Sequence, residues 1–200
     1  MTTRRASYRS LASLQRDNRA CRACAEAGYL IESLPVFDGH AGQKAYLFGL
    51  APGIVEGEER RPWRGRAGKA LRRWLEIDEE RFYASFYLAA VTRCYPGKPL
   101  SGRGDRTTAP EERRLCAFWQ EWEICLLQPK LLVPVGGVAI KQLLSFDSLA
   151  CVGERIELDG GVAIPLPHPS GASGWLNDPR NRERLEQALG LLRAELPQSP

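Results

Sequence analysis

Four short apolar runs, at 45–50, 86–91, 131–135 and 162–166, are separated by stretches whose apolar residues recur at helical spacing. Runs of this length read as strands, and strands that alternate with helices assemble into a mainly parallel sheet covered on both faces. Ala67, Ala70, Leu71, Trp74 and Leu75 share one helical face, and so do Leu115, Phe118, Trp119, Trp122 and Leu126. A last helix is expected to start near Asp178, with Pro179 at its first position and Leu185, Ala188, Leu189 and Leu192 turned inward. The fold class is therefore α/β, a three-layer α/β/α sandwich around a mainly parallel four-stranded sheet. At 200 residues the chain supports one substantial core, so residues 1–200 are read as a single domain with mobile tails at 1–10 and 197–200.

Two segments resist regular structure. Residues 95–110 hold several prolines, glycines and charges, and loops of such length in a compact domain are usually functional or disordered. Residues 165–177 contain a Pro-His-Pro-Ser-Gly run, from Pro167 to Gly171, directly after a strand. In an open parallel sheet ligands bind beyond the carboxyl ends of the strands, so this run and the turn Gly49-Leu50-Ala51-Pro52-Gly53 can face one pocket.

Six cysteines occur without a secretory signal, since the start lacks an apolar stretch. That combination argues for a reducing, cytoplasmic compartment, in which clustered thiols more often hold metal than form disulfides. Cys21-x-x-Cys24, Cys94 and Cys116 make a set of four thiolates that suits either tetrahedral zinc or an iron–sulfur cluster, and spacing does not choose between them. Cys125, on the apolar face of its helix, and Cys151 read as small buried hydrophobes.

The net charge of +4 matters less than where the charge sits. Residues 60–73 carry Arg60, Arg61, Arg64, Arg66, Lys69, Arg72 and Arg73 with no acidic residue among them. Such a stripe is either a solvated helix face or a surface that neutralises phosphates. No apolar run approaches the roughly 20 residues that span a bilayer, so no membrane partner is expected.

These landmarks, taken in order, resemble the uracil-DNA glycosylase superfamily, and the cysteine arrangement looks like that of its family 4, which holds a four-iron, four-sulfur cluster. Gly49-Leu50-Ala51-Pro52-Gly53 resembles the first motif of the family. Arg61-Pro62-Trp63-Arg64-Gly65-Arg66-Ala67-Gly68 is similar to its Gly-Arg-Pro-Phe-x-Gly-x-Ala-Gly segment, Val91-Thr92-Arg93-Cys94 to its Val-x-Lys/Arg-Cys element, and His168-Pro169-Ser170 to its third signature. The similarity runs over about residues 10–195.

The resemblance implies a monofunctional DNA glycosylase that extrudes a damaged base, most simply uracil, and hydrolyses its bond to deoxyribose to leave an abasic site. It implies a 4Fe-4S cluster on Cys21, Cys24, Cys94 and Cys116, a monomer, and damaged DNA as partner. Gly49 to Gly53 and Ala90 would hold the base, Trp63 would stack on it, and His168 would stabilise the departing anion. Arg64, Arg66, Pro169 and Ser170 would touch DNA, and Gly171, Ala172 and Ser173 would enter the minor groove as a wedge.

Departures from the family pattern bear on specificity. Leu50 stands where family 4 enzymes carry Glu, and Ala90 where they carry the Asn that reads the edge of uracil. Both are closer to the broader family 5, whose water-positioning Asp is missing at Gly65-Arg66, leaving Glu56 and Glu58 as candidates for that role. The alternative from another class is a catalytically silent DNA- or base-binding protein that kept the fold and the cluster. A serine hydrolase using Ser170 with His168 is disfavoured, because their nearness in sequence places them poorly for a hydrogen-bonded pair and no Gly-x-Ser-x-Gly elbow is present.

Overall fold

The computed structural model describes residues 4–102, 104–146, 149–170 and 174–196. In chain order the regular elements are α1 (Leu11–Arg19), α2 (Ala23–Glu26), β1 (Ala45–Gly49), α3 (Ile54–Glu59), α4 (Arg66–Leu75), α5 (Glu79–Ser85), β2 (Phe86–Ala90), α6 (Pro110–Leu127), β3 (Leu131–Pro134), α7 (Gly137–Leu144), β4 (Ile156–Leu158), β5 (Gly161–Ala163) and α8 (Pro179–Glu195). The last helix starts where its sequence signals place it, with the Asp178 side chain accepting from the Arg180 N–H at 2.9 Å and Pro179 in the first turn.

The sheet has the order β2-β1-β3-β5-β4, with β1 parallel to both β2 and β3 and β3 parallel to β5. The expected four-stranded sheet is thus corrected to five, because β4 forms an antiparallel hairpin with β5 at the edge. Its three residues, Ile156-Glu157-Leu158, are too short and too mixed to register as an apolar run.

Side chains alternate across the strands, as the pleat requires. Ala45, Leu47, Phe86, Leu88 and Val133 face a layer of α4, α5 and α8, supplied by Leu71, Leu75, Phe82, Leu185, Leu189 and Leu192. Tyr46, Phe48, Tyr87 and Ala89 face α1, α6 and α7 through Leu11, Leu14, Trp119, Leu127 and Ala139. These two cores make the three-layer sandwich. No helix among the described residues is long and apolar enough to cross a membrane.

Of the tails expected to be mobile, residues 1–3 and 197–200 lie outside the described residues, and in 4–10 Arg5, Ala6, Ser7, Arg9 and Ser10 are exposed while Arg4 and Tyr8 touch the core. Tyr8 is buried, Arg5 pairs with Asp17 at 2.7 Å, and the Arg4 guanidinium lies 4.9 Å from the Phe118 ring centroid. Cys125, read as buried, is exposed on α6, whereas Cys151 is buried.

Candidate active site

The chain leaves β1 toward β2 on one side and later places β3 on the other, so the carboxyl ends of these strands open a crevice at a topological switch point. Backbone pairing continues past the strands and fixes the turns there. Val91 N–H donates to Gly49 O at 2.8 Å and Thr92 N–H to Leu50 O at 2.9 Å; Gly136 N–H reaches Leu166 O at 2.8 Å. The crevice holds a cavity of about 470 Å³.

The sequence candidates converge on this cavity. Gly49, Leu50, Ala51, Pro52, Gly53, Trp63, Ala90, Glu56, Arg66, His168 and Ser170 all line it. Glu58 does not line it, and its side chain is exposed on α3. Pro169 is buried, and Gly171, Ala172 and Ser173 lie outside the described residues.

Trp63 is held as a fixed wall. Its backbone sits in the left-handed region with φ 59°, a conformation costly for a bulky L-residue. Three neighbours hold it there: Arg72 Nη1 donates to the Trp63 carbonyl at 2.9 Å, Tyr83 Oη donates to Pro62 O at 2.6 Å, and Gly68 passes so close that a Cβ there would lie 1.7 Å from Trp63 O. The indole in turn covers Gly49, where an added Cβ would lie 2.9 Å from Trp63 Cζ2. Glycine at 49 and 68 is thus required by close approach.

Glu56 is a brace. Its Oε2 accepts from Gly53 N–H at 3.1 Å and its Oε1 from Gly65 N–H at 2.7 Å. One buried carboxylate therefore ties the first-motif turn to the start of α4, and both of its oxygens are engaged.

His168 is half-buried beside Gly136. Its Nδ1 accepts from Ser170 N–H at 3.2 Å and lies 2.8 Å from Ser170 Oγ. Because a backbone N–H can only donate, Nδ1 is the acceptor nitrogen and the neutral ring carries its proton on Nε2. Burial lowers the His168 pKa below its ordinary value, with the negative charge of Glu56 opposing, so the neutral donor is the form at pH 7. Ser170 thus serves His168 directly.

The basic stripe divides in two once folded. Arg64 is ion-paired to Glu59 at 2.6 Å and to Glu79, Arg72 reaches Glu79 at 3.4 Å, and Arg61 lies 3.7 Å from Glu79 and 3.7 Å from the Tyr83 ring centroid. Arg64, expected to touch DNA, is held by two carboxylates and so braces this segment. Arg66, Lys69 and Arg73 remain exposed along one face of α4, with Arg66 also lining the cavity, and have no ion pair among the described residues.

A second, smaller cavity is lined by Cys21, Cys24, Cys94 and Cys116, all buried. Trp119 Nε1–H donates to Cys21 Sγ at 3.4 Å and Arg93 N–H to Cys116 Sγ at 3.5 Å. The hydrogen bond from the Cys24 thiol and the charge of Arg93 lower Cys116 against burial, while burial pushes Cys94 up. Several buried polar atoms around this cavity have no hydrogen-bond partner among the described residues: Arg4 Nε, Arg93 Nε and Nη1, Ser33 Oγ and Asn18 Oδ1. Unsatisfied donors beside four thiols suit an anionic occupant, so the residues present fit a thiolate-ligated cluster. Among the described residues no group of three or more His, Cys, Asp or Glu is gathered as a ready single-ion site.

The pocket also contains a carboxylate that sequence reasoning passed over. Asp105, from the 95–110 loop, lines the cavity next to Gly104. No periodicity marks it, since only chain folding carries that loop back over Gly53.

The chain matches the uracil DNA glycosylase superfamily over residues 37–193. It is 28% identical over 139 residues to the type-4 uracil-DNA glycosylase of Thermotoga maritima, across 68% of this chain and 69% of that one. It is 34% identical over 155 residues to the type-5 uracil-DNA glycosylase of Thermus thermophilus, across 70% of this chain and 65% of that one. The type-4 uracil-DNA glycosylase of Sulfurisphaera tokodaii is 25% identical over 196 residues, 92% of this chain and 84% of its own length.

Proposed function

The chain belongs to the uracil DNA glycosylase superfamily, and from that premise we propose that it hydrolyses the N-glycosidic bond of uracil or a related damaged base in DNA, leaving an abasic site for base excision repair. The observation that carries this reading is a neutral His168 with its proton on Nε2, in a cavity walled by Trp63. As the bond breaks, negative charge grows on the departing base. A preorganised neutral donor meets that charge without having to surrender a proton first. Trp63 offers a flat face for an extruded base, and the glycine-rich turn at 49–53 lets backbone amides approach its edge.

Base reading here is mainly backbone and shape. Leu50, Ala51, Pro52 and Ala90 present apolar surface to the cavity, so a pocket of this kind discriminates less sharply among bases than one carrying an amide side chain. No lysine lines the cavity among the described residues, which favours simple hydrolysis over a Schiff-base route that also cuts the strand.

Arg66, Lys69 and Arg73 form the part of the basic stripe available to phosphates, and Arg66 joins it to the cavity, which it also lines. Cys21, Cys24, Cys94 and Cys116 would hold a 4Fe-4S cluster, fastening α1 and α2 to α6 and to the end of β2. When bound, that group supplies a covalent crosslink between distant segments rather than chemistry at the base. The protein would act as a cytoplasmic monomer, in keeping with a reducing compartment for its clustered thiols.

The deciding experiment is single-turnover excision from labelled duplexes carrying uracil, hypoxanthine or xanthine. His168→Ala should slow excision roughly a hundredfold or more with little change in DNA affinity, as expected for a donor that acts in the transition state. A mutant that keeps wild-type turnover would remove His168 from the mechanism.

A further inference from the structure

Two carboxylates line the cavity, Glu56 and Asp105. Hydrolysis needs one of them, or a substitute, to aim water at the sugar. Glu56 is fixed in orientation, because each of its oxygens accepts a backbone N–H, from Gly53 and from Gly65. Rotating it toward a water would release both loops.

Asp105 is differently placed. It has no ion pair among the described residues, and its Oδ2 lies over Gly53, 3.1 Å from the position a Cβ would occupy there. The adjacent Arg106 holds the loop still. Arg106 N–H donates to Gly97 O at 2.9 Å and its Nε to Pro96 O at 2.9 Å, while the guanidinium forks onto the buried Glu112 at 2.6 and 2.8 Å. Glu112 in turn accepts from Ala109 N–H at 2.6 Å, at the start of α6. Tyr95 is buried behind the loop, and its hydroxyl is pushed up by burial and then by the nearby Asp105 carboxylate. A carboxylate carried on a braced loop, facing the cavity and not neutralised by a cation, is arranged to act on something inside that cavity.

We propose that Asp105 is a catalytic residue that orients the attacking water and accepts its proton, a role resting on the glycosylase reading above. The balance is simple. The bond from C1′ to the base nitrogen breaks with its electron pair leaving on the base, whose anion is met by His168 Nε2–H. The water oxygen bonds to C1′, and the proton it sheds passes to the Asp105 carboxylate and then to solvent or the released base. This assigns the water to a residue of the loop following β2 that folds over the first-motif turn, in place of the Glu56 and Glu58 positions suggested by sequence.

The test uses the cluster-loaded full chain. Asp105→Asn, nearly isosteric and uncharged, should slow single-turnover excision a hundredfold or more, while binding to a duplex bearing a tetrahydrofuran abasic analogue and the thermal midpoint stay within error. Asp105→Ala should be equally slow, and added formate should restore part of its rate, which a merely structural side chain would not allow. Glu56→Gln should instead lower the thermal midpoint and gain nothing from formate. If the wild type excises a base and Asp105→Asn does so at the same rate, the assignment to Asp105 is wrong while the glycosylase reading survives. The assignment also fails if both Asp105 variants lose rate and stability together without formate rescue. A wild type that excises no base from any of the duplexes overturns the glycosylase reading, and the role of Asp105 with it.

Discussion

Two helical glycines offer a test in which intrinsic propensity and tertiary packing predict opposite signs. Gly68 lies in α4 and Gly190 in α8, and replacing glycine by alanine inside a helix ordinarily stabilises by about 0.5–1 kcal/mol. At Gly190 a Cβ would meet nothing within 4 Å, so Gly190→Ala should follow propensity and raise the thermal midpoint by about 1–4 °C for a protein of this size. At Gly68 the same methyl would lie 1.7 Å from the Trp63 carbonyl oxygen, 2.4 Å from its carbon and 2.8 Å from its Cα. Each is inside van der Waals distance, and the atoms in the way are backbone, pinned by Arg72 on the same carbonyl. Relief requires α4 and the Trp63 turn to separate by more than an ångström. Overpacking of that kind costs about 1–3 kcal/mol or more, which exceeds the propensity gain, and it moves the wall of the base pocket as well. Gly68→Ala should therefore lower the thermal midpoint by several degrees and depress single-turnover excision at least tenfold, with the cluster intact by absorbance. A Gly68→Ala protein as stable and as active as Gly190→Ala would show that Trp63 is not held against α4, and the account of the pocket would fail with it.

Charge reversal at Arg66, Lys69 or Arg73 should weaken binding to duplexes of any sequence and flatten the slope of log K against log salt by about 0.9 for each phosphate no longer neutralised. Reversal at Arg64 should instead lower stability through Glu59 and Glu79 and leave the salt slope nearly unchanged; equal slopes for all four would restore Arg64 to the DNA surface. Protein purified without oxygen should carry iron and sulfide with broad visible absorption, and Cys→Ser at position 21, 24, 94 or 116 should abolish both and impair folding, whereas Cys125→Ser should do neither; stoichiometric zinc without iron would refute the cluster. Excision should not depend on His168 protonation at neutral and alkaline pH, because its pKa is lowered and the neutral ring is already the donor. On acidification through that lowered pKa, Nδ1 gains a proton, the Ser170 N–H loses its acceptor and the rate should fall, a limb absent from His168→Ala. Stability shifts with the same sign: the unfolded chain binds the proton first, so this contribution is lost as pH falls from the ordinary histidine range to the folded pKa and levels off below it.

Much of this protein is legible in its linear string. Apolar residues at every position of Ala45-Tyr46-Leu47-Phe48 and Phe86-Tyr87-Leu88-Ala89 encode strands buried on both faces, and a sheet so buried needs helices on each side. The first-motif turn, Trp63 and His168 are recognisable because their chemistry is local: a glycine-rich turn, an aromatic in a basic segment, a histidine at the end of a strand. What the string does not decide is pairing across distance. Arg64 looks free because its own segment carries no acid, yet Glu79 arrives from the next helix and neutralises it. Glu56 looks like a candidate for moving protons, and the approach of Gly65 turns it into a brace. Asp105 is one charge among many in an irregular loop until the Arg106–Glu112 fork folds that loop over Gly53. Periodicity and turn chemistry reside in neighbouring residues and need no folded chain to be read. The partner of a charge is chosen by loop closure and packing, so whether a carboxylate braces a loop or faces a substrate is decided only once the chain has folded.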